Sequence, residues 1–378
     1  MQIVSLPRQV TITYGSLWDG LAASVKNMGT LYIEQSVIVA KATGTHAPAQ
    51  VLDFTHATLL PALIDSHVHL AFPSDDKQTL MQRAQHYLNA GVATIRDGGS
   101  TCGFLAADTR LQIRQSIAAI YKKGYYGAAL GNAVGNMKET LQAVDKLAAA
   151  GATQIKVIAS GIFSFTHYGQ TGPATFTATE LRTIVKRAHL HGLPVMVHAS
   201  GDEAVQHSLQ AGVTTIEHGY FMSKESIREI AASGTFWIPT LSPINNQLAQ
   251  AKIVTTLPFS MQQVILRSLL RHQEFIAEGA ILGAQIVAGT DAGAPGVSHG
   301  ASLPQEIMLL HNAGLSSLTA LQAATSVAAS ACHLPTLGTI EPGQRPCLLV
   351  VQGNPLTNPG VLLAPEALLL PSYDADDL

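Results

Sequence analysis

Six residues of this 378-residue sequence have the types and positions needed to hold metal ions: His67, His69, Lys156, His198, His218 and Asp291. His67 and His69 stand two apart in DSHVHL, so on a strand both imidazoles point to the same side and can reach one cation. Lys156 lies inside the apolar run QIKVIASG, where an ammonium is costly to desolvate. Two readings are open for it. It can pair with a nearby carboxylate, or it can react with carbon dioxide to become a carbamate, an anionic group with two oxygens able to bridge two cations. Taken alone, the ion pair is the plainer reading. His198 closes VMVHAS, His218 closes TTIEHG, and Asp291 lies in AGTDAG. One such histidine is more often a hydrogen-bonded core residue than a ligand. Six such residues, all at the ends of strand-like runs, point to a metal centre. Nitrogen and oxygen donors without sulfur suit zinc, with manganese, cobalt or iron compatible.

The elements that must position these residues alternate from about Leu63 onward between short apolar β-rich runs and longer stretches of helical period. Eight strands are expected, at 63–70, 92–99, 125–130, 154–161, 194–200, 214–220, 235–241 and 285–293. Eight parallel strands with intervening helices close into a (β/α)8 barrel of the TIM type, an α/β fold whose active face lies at the C-terminal strand ends. Helices are expected at 138–151 and at 177–192, the latter with Thr179 as N-cap and Gly192 as stop, and two more at 301–333. The ends differ in style. Residues 1–58 and 337–378 carry short alternating strands and turns, which predicts one small β-domain built from both termini beside a barrel spanning 59–336.

The composition narrows the partners. The net charge is −3, only 12% of residues are charged, and 47% are hydrophobic. No basic run is present to neutralise a phosphate backbone, so nucleic acid is not an expected partner. No apolar run is long enough to span a bilayer and no basic-then-apolar leader opens the chain, so the expected setting is the cytoplasm, without a membrane partner. A small molecule is the expected ligand, and a homo-oligomer the expected assembly. Cys102, Cys332 and Cys347 are odd in number and widely spaced, which argues against a disulfide framework or a thiolate zinc site; plain core thiols are expected.

The phrases LLPALIDSHVHL, IKVIASG, VMVHASGDEAVQHSLQAGVTTIEHG, AGTDAG, a later SHG, and GTIEPGQ followed by QGNPL resemble, in this order, the amidohydrolase superfamily. Within it they resemble the branch of prolidase-like dipeptidases, related carboxypeptidases and imidazolonepropionase-like proteins. The resemblance implies a β-sandwich formed by both termini. It also implies one metal held by His67, His69 and Asp291, a second by His198 and His218, and a carboxylated Lys156 as the bridge, with carbon dioxide supplying the carboxyl group. Single-metal relatives usually lack a lysine in strand four, so Lys156 favours the two-metal type. Three departures stand out: Ala62 and Ile162 replace usual glycines, and Pro346-Cys347-Leu348 replaces Ala-Asp-Leu. None is a ligand position, and Ile162 alters the loop after strand four.

The activity implied is metal-dependent hydrolysis of an amide-type C–N bond by a metal-bridging hydroxide, on a dipeptide, an N-acyl amino acid or a related amide. Asp291 would be both ligand and proton carrier. His167, Tyr168 and Tyr220 are candidate substrate contacts, with Arg96, Asp97 and His299 also near strand ends. Glu217, next to His218, is expected on the opposite side of its strand in a structural role. Two rivals remain: a mononuclear deaminase or cyclic amidase with Lys156 in an ion pair, and a catalytically silent metal-binding scaffold.

Overall fold

Apolar runs that are buried on both faces read as continuous rather than alternating, and they pair in parallel here. The computed structural model describes residues 1–41, 50–100, 102–103 and 110–372. Leu63–Val68 pairs with Val92–Asp97, and Val92–Asp97 with Gln112–Gln115. Ile155–Ile158, Val195–Ala199, Thr215–His218 and Phe236–Ile238 form a second parallel run in chain order.

The two runs meet through a bent third strand. Gln112–Gln115 continues through Ser116, Ile117 and Ala118 into Ala119–Lys122, which pairs with Ile155–Ile158. Ile117 takes φ 66°, a costly left-handed conformation for a β-branched residue. The bend lets one stretch of chain serve its two neighbours in turn. On the other side, the expected eighth strand is reduced to single bridges, Trp237 to Ile286 and Val68 to Ala292. The Asp291 amide donates to the His67 carbonyl at 2.7 Å, which fixes the carboxylate beside the histidine pair.

Three expectations are corrected. The run at 125–130 is a turn, because Gly124 and Gly127 adopt φ 87° and 134° and break extension; the third strand is the more polar QIRQ upstream. The helix Ala178–Leu190 is capped by Thr177, not Thr179, through a capping box with Glu180. Residues 301–333 form three helices, Ser302–Asn312, Ser317–Gln322 and Ser326–Ala331, rather than two. Gly192 does take the left-handed conformation, at φ 69°, just past the Leu190 end.

Strands from both ends share one seven-stranded sheet. Gln2–Leu6 runs parallel to Ala367–Pro371, and Leu348–Val351 runs antiparallel to Val51–Pro61. The sheet has its own buried cluster, including Leu6, Ile12, Leu59, Val350 and Leu369. Val51–Pro61 then delivers the chain directly into Leu63–Val68. Of the cysteines, Cys332 is buried as expected of a core thiol, Cys347 is half-buried, and Cys102 is exposed, outside any core. Among the described residues no helix is long and apolar enough to cross a membrane.

Candidate metal centre

The strands bring all six residues together, Lys156 from within Ile155–Ile158 and the others from at or near strand ends. His67 Nε2 lies 3.4 Å from Lys156 Nζ and 3.6 Å from Asp291 Oδ1, and His69 Nε2 lies 3.5 Å from the same oxygen. The His198 and His218 rings are 4.5 Å apart, and the His67 and His218 rings 5.0 Å apart. One donor atom each of His67, His218 and Asp291 falls within 4.8 Å of the others, close enough for one ion.

Every imidazole is anchored by its other ring nitrogen, the arrangement that orients a metal ligand. His67 Nδ1 is 2.6 Å from Glu217 Oε2, His69 Nδ1 is 2.8 Å from the Gly99 carbonyl, and His218 Nδ1 is 2.6 Å from Thr240 Oγ1. His198 is turned the other way: its Nε2 is 3.3 Å from the Gly161 carbonyl, which leaves Nδ1 free. Three of the residues involved sit at strand ends in the left-handed region, His218 at φ 68°, Thr240 at 51° and Asp291 at 53°. Such conformations cost on the order of 1–3 kcal/mol each and persist only when surroundings fix them. The Trp237 indole N–H, donating to the His218 carbonyl at 2.9 Å, is one such fixture.

Burial sets the charge state. It pushes the His69 imidazole down to about 4 and His198 to about 3, with the Lys156 ammonium as the next cause; His67 and His218 also fall well below the ordinary range. Neutral imidazole is the form that ligates a cation. Burial also lowers Lys156 and raises Asp291. Among the described residues Lys156 forms no ion pair, and His67 Nε2 is its hydrogen-bond partner. The donor set therefore fits divalent cations: neutral nitrogens, a carboxylate, and a lysine with no carboxylate in ion-pair contact among the described residues.

Glu217 is the residue that sequence alternation misplaced. It points into the strand ring, where Oε1 accepts from Arg96 at 3.0 Å and from the Thr215 hydroxyl, while Oε2 holds His67. His218 reaches the centre as well because its positive φ turns the chain. Arg96, donating also to the Ser66 carbonyl at 2.6 Å, is a buried brace and not a substrate contact. Asp97 likewise accepts from the Leu70 and Gly99 amides at 2.7 Å each, and His299 Nδ1 lies 3.0 Å from the Tyr87 hydroxyl.

Above this floor opens a cavity of about 640 Å³. Its base exposes His69, Lys156, His198, His218 and Asp291, and its walls include Phe72, Tyr125, Tyr126, Phe163, Phe165 and Ile244. Tyr220 lines it, with its hydroxyl donated to the Thr240 carbonyl at 2.7 Å. His167 and Tyr168 do not line it. His167 is exposed and bonded within its own loop, and Tyr168 lies under the Arg267 guanidinium at 3.7 Å. The wall residues Tyr125 and Tyr126 sit in the turn read from sequence as a strand, so nothing in the pattern flagged them.

Residues 58–373 match the model of the amidohydrolase family. The chain belongs to that family. A candidate prolidase from Bifidobacterium longum superposes on this amidohydrolase with a TM-score of 0.83, covering 99% of this chain and 98% of its own at 26% identity. Ochratoxinase of Aspergillus niger is 27% identical over 251 residues, 65% of this chain and 50% of the fungal protein. Imidazolonepropionase of Salinispora tropica is 22% identical over 355 residues, 84% of each chain. The amidohydrolase is thus of the TIM-barrel type, similar to prolidase-like and imidazolonepropionase-like members, and a hydrolase acting on C–N bonds.

Proposed function

We propose that this amidohydrolase hydrolyses an amide-type C–N bond at a two-metal centre, with His67, His69 and Asp291 on one ion, His198 and His218 on the other, and carboxylated Lys156 between them. The observation that carries this reading is the burial of Lys156 with no carboxylate in ion-pair contact. Its amine is buried, unpaired by any carboxylate among the described residues, and 3.4 Å from His67 Nε2. Lowered by burial, the amine is available uncharged to add to carbon dioxide. The N–C bond forms, one C=O electron pair moves onto oxygen, and an N–H proton leaves to solvent. The product replaces the buried amine with a carbamate whose two oxygens share one negative charge beside the histidines.

Divalent cations, zinc first among them, would when bound polarise a carbonyl and bring the ionisation of water to roughly pH 7. The chain's own residues do the rest. Asp291, raised by burial and 3.5 to 3.6 Å from the two histidine nitrogens, is placed to take a proton from the attacking water and return it to the leaving nitrogen. Water and amide then give acid and amine. Glu217, Gly99 and Thr240 keep the imidazoles in orientation. Dipeptides and N-acyl amino acids are the starting set, given the likeness to a candidate prolidase and to ochratoxinase. The catalytic unit would be a (β/α)8 barrel over 59–336, with 1–58 and 337–378 as a β-sandwich.

A single-ion variant of the same reaction class has one observation in its favour. The tightest donor trio, His67, His218 and Asp291, draws from both proposed sets. Metal-replete protein assayed on dipeptides, N-acyl amino acids, anilides and cyclic amides should release a primary amine, lose that activity to a chelator and regain it with zinc. Release of ammonia alone, or turnover unaffected by chelation, overturns the reading.

A further inference from the structure

The cavity extends well beyond the scissile group, and its chemistry is one-sided. Phe72, Tyr126, Phe163, Phe165 and Ile244 make apolar walls, and Lys156, engaged at the floor, is the one lysine or arginine among the described lining residues. None of the chain's 22 lysines and arginines falls outside the described residues, so no other segment carries a cation to the cavity. Arginines on the surrounding elements are committed elsewhere: Arg83 to Asp75 and the Leu70 carbonyl, Arg267 to the Tyr168 ring, Arg271 to the Met222 carbonyl.

A free carboxylate beside the scissile bond, as a dipeptide or N-acyl amino acid carries, would lose its water against these walls and meet no cation there, only neutral donors such as the Tyr126 hydroxyl and the Gln247 amide that leave its charge uncompensated. Drawn down to the floor instead, it would occupy the position the scissile carbonyl needs. Among the described lining residues, one fully buried side-chain polar atom has no partner. Ser200 lines the cavity at 2% exposure, its amide donates to Ser160 Oγ at 2.8 Å, and its own hydroxyl has no hydrogen-bond partner. A buried hydroxyl left unpaired is uncommon and calls for a partner that the protein itself does not supply.

We infer that the substrate is an uncharged amide with aromatic or bulky aliphatic groups on both sides of the scissile bond, no free carboxylate, and one polar atom held by the Ser200 hydroxyl. This rests on the amide-hydrolase reading, keeps its reaction, and replaces dipeptides and N-acyl amino acids by neutral amides as the substrates.

The test is a matched pair on the metal-loaded full chain: N-benzoylphenylalanine and N-(2-phenylethyl)benzamide, which differ by the carboxylate. The neutral member should have the higher kcat/KM by roughly tenfold or more, the scale on which a pocket rejects a group it cannot pair. Ser200→Ala should raise KM for the neutral member several-fold, leave kcat near the parent and leave Tm unchanged. A preference for the acid, or an unchanged KM in Ser200→Ala, overturns the inference while the hydrolase reading stands. Calorimetric binding of both compounds separates the two claims if neither is turned over. Tighter, Ser200-dependent binding of the neutral compound then keeps the pocket assignment and removes the reaction, whereas tighter binding of the acid, or no binding of either, removes the pocket assignment.

Discussion

The floor of the site and the cavity above it are built from opposite materials. The floor is a closed polar network in which every imidazole has a fixed partner and Glu217 ties His67 to Arg96. The cavity is mostly aromatic and aliphatic, with Ser200 unpaired in its lining. The floor residues stand at the ends of buried strands, while most wall residues come from turns and helices after those strands. Chemistry and selectivity therefore rest on separate parts of the chain, and substitutions in the two should fail in different ways.

The largest effect should come from breaking the brace under the floor. Arg96→Met leaves the Glu217 carboxylate buried without its cation, a defect of about 3–5 kcal/mol by the usual scale of broken buried pairs. Chemical denaturation should read that loss; a stability within 1 kcal/mol or so of the parent would mean the floor is less tightly coupled than its bonds suggest. Asp291→Asn comes next. It keeps the side-chain size and one oxygen but removes the base, so turnover should fall by a factor of roughly 10² or more while most metal stays bound. Near-normal turnover would remove Asp291 as proton carrier.

The third effect is smaller. Thr240→Val frees His218 Nδ1 and should weaken metal binding by roughly tenfold without changing which substrates are used. A change in substrate preference would blur the division between floor and wall. Smallest of all, Phe165→Leu in the wall should shift KM several-fold and leave kcat and metal content alone; a loss of metal there would break the division outright.

The same division explains what could be read from sequence. The convergence of the candidate ligands was legible because strand periodicity and strand ends constrain where His67, His69, His198 and His218 can point. Most of the strand order followed from the apolar runs. Glu217 was not legible, since strict alternation puts it away from His218, and only the positive φ at His218 brings both toward the ring interior. The third strand was missed because QIRQ is polar and an apolar YYGAAL lies close behind, though its glycines turn the chain. The walls were hidden for a more general reason: which loop side chains reach the cavity depends on how helices stack on the ring. His167 and Tyr168 lie in the loop after Ile155–Ile158, as expected, yet one faces solvent and the other packs under Arg267.

Lys156 is where the proposed two-ion reading can be tested most directly, because its carbamate is the one bridge that reading supplies. The measurement is metal content per chain, by elemental analysis, of the parent and of Lys156→Arg prepared side by side with zinc and bicarbonate. Guanidinium stays cationic and forms no carbamate under these conditions. The parent should hold close to two equivalents, and the variant should lose one of them along with most of its turnover. A fully active parent with a single equivalent, or a variant that keeps both ions and the parent's turnover, would contradict the two-metal assignment and return Lys156 to a structural role.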